Sequence, residues 1–162
     1  MMAQTNSDNP NIVGIKHMAF AVRDAKAARA TYARFLCVPE DAPIHEYQKS
    51  RNRVVIFNLG GIEYQLCESM DSNGRFARWI QVHGEGLHHI CYAVDDIGHA
   101  LRHAEANGAK LRVCAACQVA GSHPHPEGYV AFLDDEAAGI EIEFMQVYTP
   151  EEVARYQRVQ GI

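Results

Sequence analysis

The sequence lacks both a long apolar segment and an excess of positive charge. None of its apolar runs approaches the roughly 18 residues that a membrane-spanning helix needs. Its formal net charge is -5, whereas a surface that binds nucleic acid has to be basic. Apolar residues make up 48% and charged residues 22% of the chain, which is typical of a globular domain. We therefore expect a small-molecule substrate, and neither a membrane nor a nucleic acid as partner.

Cysteine is scarce, and the count of five is odd, which argues against a secreted disulfide framework. We therefore expect a reducing, cytoplasmic location. Residues 1–11 are polar and contain no apolar signal-peptide core, so we interpret them as a disordered leader. Cys114 and Cys117 have CxxC spacing without a second CxxC pair. This is a weak indication of metal binding or redox chemistry, and we expect two small residues in or beside a strand.

The chain contains an internal repeat. Residues 15–24 align with residues 87–96, and this alignment places His17 on His89. Both segments have the apolar or alternating pattern of a half-buried strand. His88 should face away from His89, and we expect it to pack or to orient its neighbour. A repeat of this length has to be recognised first, because it constrains the fold that all other patterns must fit.

The repeat recurs in the later strands. Residues 61–66 align with residues 139–144, which places Gln65 on Glu143. Two pairs of nitrogen or oxygen ligands are thus related by duplication. Because side chains alternate along a strand, Glu141 and Glu143 share one face. An unpaired buried carboxylate costs several kcal/mol, and either a bound metal or access to water removes that cost.

Periodicity and turn residues predict the same order of elements in both copies: a strand, a helix and then further strands. Asp24 can cap the first of these helices, and Asp95 or Asp96 can cap its counterpart. The segment that begins at Thr149 contains a capping box, which predicts a final helix. Further strands are expected at about 53–58, 61–68, 111–119, 128–134 and 139–147, with a short helix at 75–83.

Short motifs near the repeated histidines and glutamine carry a family resemblance. They are an aromatic helix at 76–79, residues 84–90 (GEGLHHI) and residues 58–60 (NLG). From about residue 12 to residue 148 the chain resembles the vicinal oxygen chelate superfamily, the glyoxalase/bleomycin resistance/dioxygenase group. The resemblance implies an α+β fold of two tandem βαβββ modules, which form a curled, cup-shaped mixed sheet around a metal site.

This resemblance also implies a division of the chain into five segments. They are the leader at 1–11, a first module at 12–70, a linker helix at 71–86, a second module at 87–148 and a C-terminal helix at 149–162.

Within this superfamily the chain most resembles methylmalonyl-CoA epimerases. Those enzymes use a His, Gln, His, Glu metal set, which this sequence matches at His17, Gln65, His89 and Glu143. A mixed nitrogen and oxygen site implies one divalent transition metal: Mn, Co, Ni, Fe or Zn. The implied reaction is inversion of a carbon α to a carbonyl by proton abstraction through a metal-stabilised enediolate. We also expect a homodimer.

Two departures from the epimerase pattern bear on the substrate. Lys49 stands where those epimerases have a carboxylate base, and residues 134–136 (DDE) stand where they have a cation. An acidic segment is poorly suited to hold the phosphates of CoA. We therefore predict a small polyol ketone, such as a C7 cyclitol of the 2-epi-5-epi-valiolone type in natural-product biosynthesis. Methylmalonyl-CoA is the alternative, and a glyoxalase-like lyase or a drug-binding resistance protein is a further one.

The sequence does not decide which residues transfer the proton or bind the substrate, and several candidates remain. Arg53 could bind substrate. Residues 121–128 are rich in Gly and Pro, and we expect either a substrate-covering flap or a plain connecting loop. In the flap, His123 or His125 would touch substrate. The candidate proton carriers are Glu141, Glu63, Glu46 and Lys49.

Overall fold

The computed structural model describes residues 10–161, apart from the side chains of residues 135–137. The predicted leader lies almost wholly outside these residues, and so do the side chains of Asp135 and Glu136. None of the helices in the described part of the chain is long and apolar enough to cross a membrane.

The first repeat folds as strand, helix and three strands. Its strands have the order β2-β3-β4-β1, with β1 and β4 parallel and the other two pairings antiparallel. The elements are β1 (Ile12–Ala21), α1 (Ala25–Leu36), β2 (Ile44–Tyr47), β3 (Asn52–Leu59) and β4 (Ile62–Ser69), followed by α2 (Arg75–His83).

The second repeat has the same strand order, β6-β8-β9-β5, and β7 is added beside β8. The matching order confirms the α+β class and the two βαβββ modules. The elements are β5 (Gly86–Val94), α3 (Ile97–Ala106), β6 (Leu111–Arg112), β7 (His123–His125), β8 (Gly128–Ala137), β9 (Ile140–Val147) and α4 (Pro150–Gln160).

The chain divides into two compact units. The first unit comprises residues 15–91 and 138–140, and the second comprises the described residues up to 14, residues 92–137 and residues 141–161. The core of the first unit includes Leu66 and Val55, both fully buried. In the second unit the apolar face of α3 packs against β8 and β9. Fully burying a side chain of this size contributes about 1.5–3 kcal/mol to folding.

The helix caps follow the sequence predictions. Asp24 accepts a hydrogen bond from the Ala27 amide at 2.9 Å, and Asp96 accepts one from the His99 amide at 2.8 Å. Thr149 closes a complete capping box at the start of α4. Each cap satisfies an amide at a helix N-terminus that has no partner within its helix.

The prediction of one strand over 111–119 is wrong. β6 ends at Arg112, and the Gln118 amide donates to the Cys114 carbonyl at 2.8 Å, which closes a turn. Gln118 has a φ of 58°, in the left-handed region that a strand does not allow. The short strand β2 was not predicted, because its exposed polar residues carry no burial pattern.

Candidate metal centre

Two buried histidines of the first unit meet at their ring nitrogens. His17 lies on β1 and His89 on β5, and they are 4% and 5% exposed. Their Nε2 atoms are 3.3 Å apart. Two imidazole nitrogens bound to one ion at about 2.0–2.1 Å are separated by roughly 3.0 Å at a right angle and 3.4 Å at the tetrahedral angle. The pair therefore has the spacing of two ligands of a single metal ion.

The carboxylate of Glu63 binds neighbouring side chains beside this histidine pair. Its Oε1 accepts a hydrogen bond from Gln65 Nε2 at 2.8 Å and lies 3.9 Å from His17 Nδ1. Its Oε2 forms an ion pair with Lys16 Nζ at 3.1 Å. The parallel pairing of β1 with β4 places Glu63 opposite His17 in the register. Because the amide nitrogen of Gln65 is turned toward Glu63, its amide oxygen is the atom that can bind a metal.

His88 stands behind His89 and is fully buried. Its Nδ1 is 2.9 Å from His89 Nδ1, and its ring packs edge-on against Phe76 with a centroid distance of 4.9 Å. When His89 Nδ1 carries the shared proton and donates it, His89 Nε2 keeps the lone pair that a metal requires. Packing, one of the two roles predicted for His88, is confirmed, and its orienting role toward His89 stays a prediction.

Glu143 and Glu141 belong to β9, in the second unit. Glu143 is 5% exposed, so its carboxylate needs polar or metal partners to offset the lost hydration. Glu141 is partly buried and forms an ion pair with Arg112 at 3.1 Å.

The other predicted candidates in the first unit lie on β2, on β3 and in the turn between them. Glu46 Oε1 accepts from Arg53 Nε at 2.8 Å, and Arg53 also reaches Glu68 at 2.9 Å. Lys49 is exposed in the turn between β2 and β3. Roles for Glu46, Lys49 and Arg53 in catalysis or substrate binding stay predictions.

His123 and His125, predicted to touch substrate from a flap or loop, form the strand β7 in the second unit. His123 is 4% exposed, and its Nδ1 lies 2.8 Å from the Gly121 carbonyl oxygen. Burial lowers the pKa of His125, and the charge of His123 lowers it further, while Glu143 opposes the shift. The imidazole of His125 is therefore neutral near pH 7.

The structure also brings both β7 histidines together with Cys114 and Cys117. Sequence reasoning missed this cluster, because the CxxC pair has no second CxxC. A His-x-His pair follows it after five residues, and that spacing was the available signal.

Known epimerases are similar to this chain in sequence and fold. It is 31% identical to the mitochondrial methylmalonyl-CoA epimerase of Bos taurus over 140 residues, which cover 84% of this chain and 75% of that protein. It is 27% identical to the ethylmalonyl-CoA/methylmalonyl-CoA epimerase of Cereibacter sphaeroides over 134 residues, covering 80% of this chain and 96% of that one. Epimerases are isomerases, so these relatives confirm the predicted enzyme class.

The fold comparison agrees with the sequence. The structure superimposes on the methylmalonyl-CoA epimerase of Mycobacterium tuberculosis with a TM-score of 0.72 at 18% identity, covering 95% of this chain and 97% of that one. A model of the Glyoxalase/Bleomycin resistance protein/Dioxygenase superfamily matches residues 16–129, which is more than half of the chain. The chain therefore belongs to the glyoxalase/bleomycin resistance/dioxygenase superfamily.

Proposed function

We propose that this protein is a metal-dependent epimerase of a 2-alkylmalonyl-CoA such as methylmalonyl-CoA, and that it inverts the carbon α to the thioester carbonyl. The observation that carries the proposal is the buried His17–His89 pair, whose Nε2 atoms are 3.3 Å apart. The relatives named methylmalonyl-CoA epimerases support the substrate. We also propose that the protein is a cytoplasmic homodimer.

The proposed metal ligands are His17, Gln65, His89 and Glu143. The contacts in the first unit fit the first three, and Glu143 enters the proposal from its alignment with Gln65 in the sequence repeat. Two imidazoles, an amide oxygen and a carboxylate suit Mn, Co, Ni, Fe or Zn. When bound, such an ion supplies Lewis acidity that draws electron density from the substrate carbonyl and so acidifies the neighbouring C–H.

Glu63 and Glu141 are the proposed proton carriers. They align in the repeat, each two residues before a proposed metal ligand. Each forms an ion pair at 3.1 Å, Glu63 with Lys16 and Glu141 with Arg112. One of them, as a carboxylate, removes the α proton from one face of the carbon, and the other, as a carboxylic acid, donates a proton to the opposite face. Their protonation states reverse in each turnover and are reset by the reverse reaction or by exchange with solvent. Each positioned transfer contributes about 10²–10⁴-fold to the rate.

Hydrogen exchange in D₂O tests this assignment separately for each epimer. Glu63→Gln should lose epimerisation while one epimer of the substrate still exchanges its α-hydrogen, and Glu141→Gln should show the same with the other epimer. Glu105→Gln, at an exposed carboxylate of α3, is the matched control and should retain activity. Metal content is measured in each variant, because Glu63 also orients Gln65. Equal exchange of both epimers by Glu63→Gln would contradict the two-carboxylate mechanism.

A small neutral polyol ketone is the second candidate substrate. The observation that favours it is that two arginines that could have bound the phosphates of CoA are paired with carboxylates instead. Arg51 binds Asp71 at 3.0 Å, and Arg53 binds both Glu46 and Glu68. Comparing kcat/KM for methylmalonyl-CoA and for a cyclitol ketone decides between the two. Preference for the cyclitol by tenfold or more would replace the CoA ester and leave the epimerase chemistry intact.

A further inference from the structure

A second group of metal-binding side chains lies wholly within the second unit. It consists of Cys114, Cys117, His123 and His125, and one ligand atom from each lies within 4.8 Å of the ligand atoms of the others. None of these residues takes part in the epimerase chemistry proposed above. Two thiols and two imidazoles are the donors of structural zinc sites.

The backbone brings the two cysteines to one side of a closed loop. Val113 and Ala120 form an antiparallel bridge across the base of this loop, and the Cys114 amide donates to the Val119 carbonyl at 2.9 Å. The turn at Gln118 reverses the chain immediately after Cys117. The loop is thereby fixed by hydrogen bonds at its base.

The two histidines come from the neighbouring strand. They are two residues apart on β7, so their side chains share one face, and β7 pairs with β8 so that His125 lies opposite Gly128. A Cβ atom at Gly128 would collide with the Gln146 carbonyl of β9, so glycine permits the close approach of β8 to β9. The strand pairing therefore holds His123 and His125 in place independently of the cysteine loop.

Distances within the cluster agree with a tetrahedral ion. His125 Nε2 lies 3.8 Å from Cys114 Sγ and 3.4 Å from Cys117 Sγ. An ion with bonds of about 2.3 Å to sulfur and 2.0–2.1 Å to nitrogen separates those atoms by about 3.5 Å at the tetrahedral angle. The observed separations lie on either side of this value.

His123 is held in the form that a metal ligand needs. Its Nδ1 donates to the Gly121 carbonyl at 2.8 Å, which leaves the lone pair on Nε2. This Nε2 is buried and has no hydrogen-bond partner among the residues that the structure describes. A buried nitrogen without a partner costs free energy, and metal coordination removes that cost.

We propose that Cys114, Cys117, His123 and His125 bind one zinc-class divalent ion in a closed structural site, separate from the His17–His89 centre. Thiolates and imidazoles select Zn²⁺ over Mg²⁺ or Ca²⁺, and four protein ligands leave no position open for a substrate. Each cysteine thiol loses its proton to solvent when the ion binds. The bound ion joins the loop between β6 and β7 to the β7–β8 hairpin.

Cobalt substitution in the variant His89→Ala tests this site apart from the proposed catalytic one. Thiolate-bound Co²⁺ absorbs in the near ultraviolet, and tetrahedral Co²⁺ has intense visible bands. Because the Cys91 thiol lies within 4.8 Å of a ring nitrogen of His17, a thiolate absorption is assigned to the second site only if it is lost with Cys117→Ser. The account predicts one equivalent of Co²⁺ with both absorptions in His89→Ala. It predicts loss of the thiolate absorption, and about 100-fold or more weaker Zn²⁺ affinity, when Cys117→Ser is added. Cys37→Ser, an exposed cysteine outside the cluster, should change neither.

Thiol alkylation of the same His89→Ala protein gives an answer that does not depend on a cysteine variant folding. With Zn²⁺ bound, the exposed Cys117 should be protected, and a chelator should make it reactive, while Cys37 reacts in either state. Absence of a thiolate-to-cobalt absorption in folded His89→Ala would overturn the proposal. A Cys114–Cys117 disulfide that persists in protein purified with Zn²⁺ and reductant would overturn it as well.

Discussion

The two candidate metal sites are built in opposite ways. In the first unit, His17 and His89 are 72 residues apart in sequence and are brought together by two strands of a sheet. In the second unit, all four side chains come from residues 114–125, a loop and the strand beside it. The first site depends on the fold of the repeat, whereas the second is local and needs only a hairpin and a turn.

The two sites also differ in their donor atoms. The nitrogen and oxygen ligands proposed for the first site suit an ion that keeps positions open for substrate oxygens. Two sulfurs and two nitrogens fill a tetrahedral ion completely. We propose that the first site supplies chemistry and the second site a structural ion, and each prediction below tests that division.

The largest expected effect is on activity in His89→Ala. Losing one imidazole from the first site should reduce kcat/KM for epimerisation by about 10³-fold or more, because the metal is lost along with its Lewis acidity. His45→Ala, a histidine on the exposed strand β2, is the matched control and should keep full activity. Steady-state kinetics with metal analysis measures both. Full metal occupancy and full activity in His89→Ala would remove His89 from the site.

Loss of the second ion should act on stability and leave catalysis unchanged. At a free metal concentration 100 times its Kd, a bound ion adds about 2.7 kcal/mol to the free energy of unfolding. For a chain of this length, that corresponds to a fall in Tm of about 5–10 °C in Cys117→Ser. Thermal unfolding with and without Zn²⁺ measures the shift. A fall in kcat at unchanged Tm would contradict the division between a catalytic and a structural site.

The smallest expected effect concerns the residue behind the first site. His88→Phe keeps the aromatic packing against Phe76 and removes the nitrogen that lies 2.9 Å from His89 Nδ1. We expect metal affinity at the first site to fall about 10–100-fold, with activity restored by excess metal. Metal titration against a competing chelator measures the change. An unchanged affinity would show that His88 only fills space.

The two sites also differ in how much of each could be predicted from the sequence alone. The duplication and the strand period predicted that His17 and His89 lie on corresponding strands, and both side chains are buried. The cluster in the second unit escaped prediction because each half of it is a weak pattern. Its assembly depends on the left-handed turn at Gln118 and on the register between β7 and β8, which are tertiary features.

A sequence pattern also cannot show which charged side chains pair with each other and which ones select the substrate. Arg53 was a candidate for substrate binding, and only the structure shows that Glu46 and Glu68 neutralise it. The order of the two modules, by contrast, follows from the repeat, since aligned segments of similar pattern adopt the same elements. Sequence therefore predicted the framework and the two repeated histidines, but not the ion pairs of the arginines.

The most direct test of the central claim follows one pure epimer of methylmalonyl-CoA by NMR in D₂O with the metal-loaded protein. The account predicts equilibration of both epimers, deuterium at the α carbon, and kcat/KM above about 10⁴ M⁻¹s⁻¹, as typical enzymes show. Chelation should abolish the reaction, and the divalent metal should restore it. Failure of the loaded protein to epimerise or to exchange the α-hydrogen of this thioester would contradict the account.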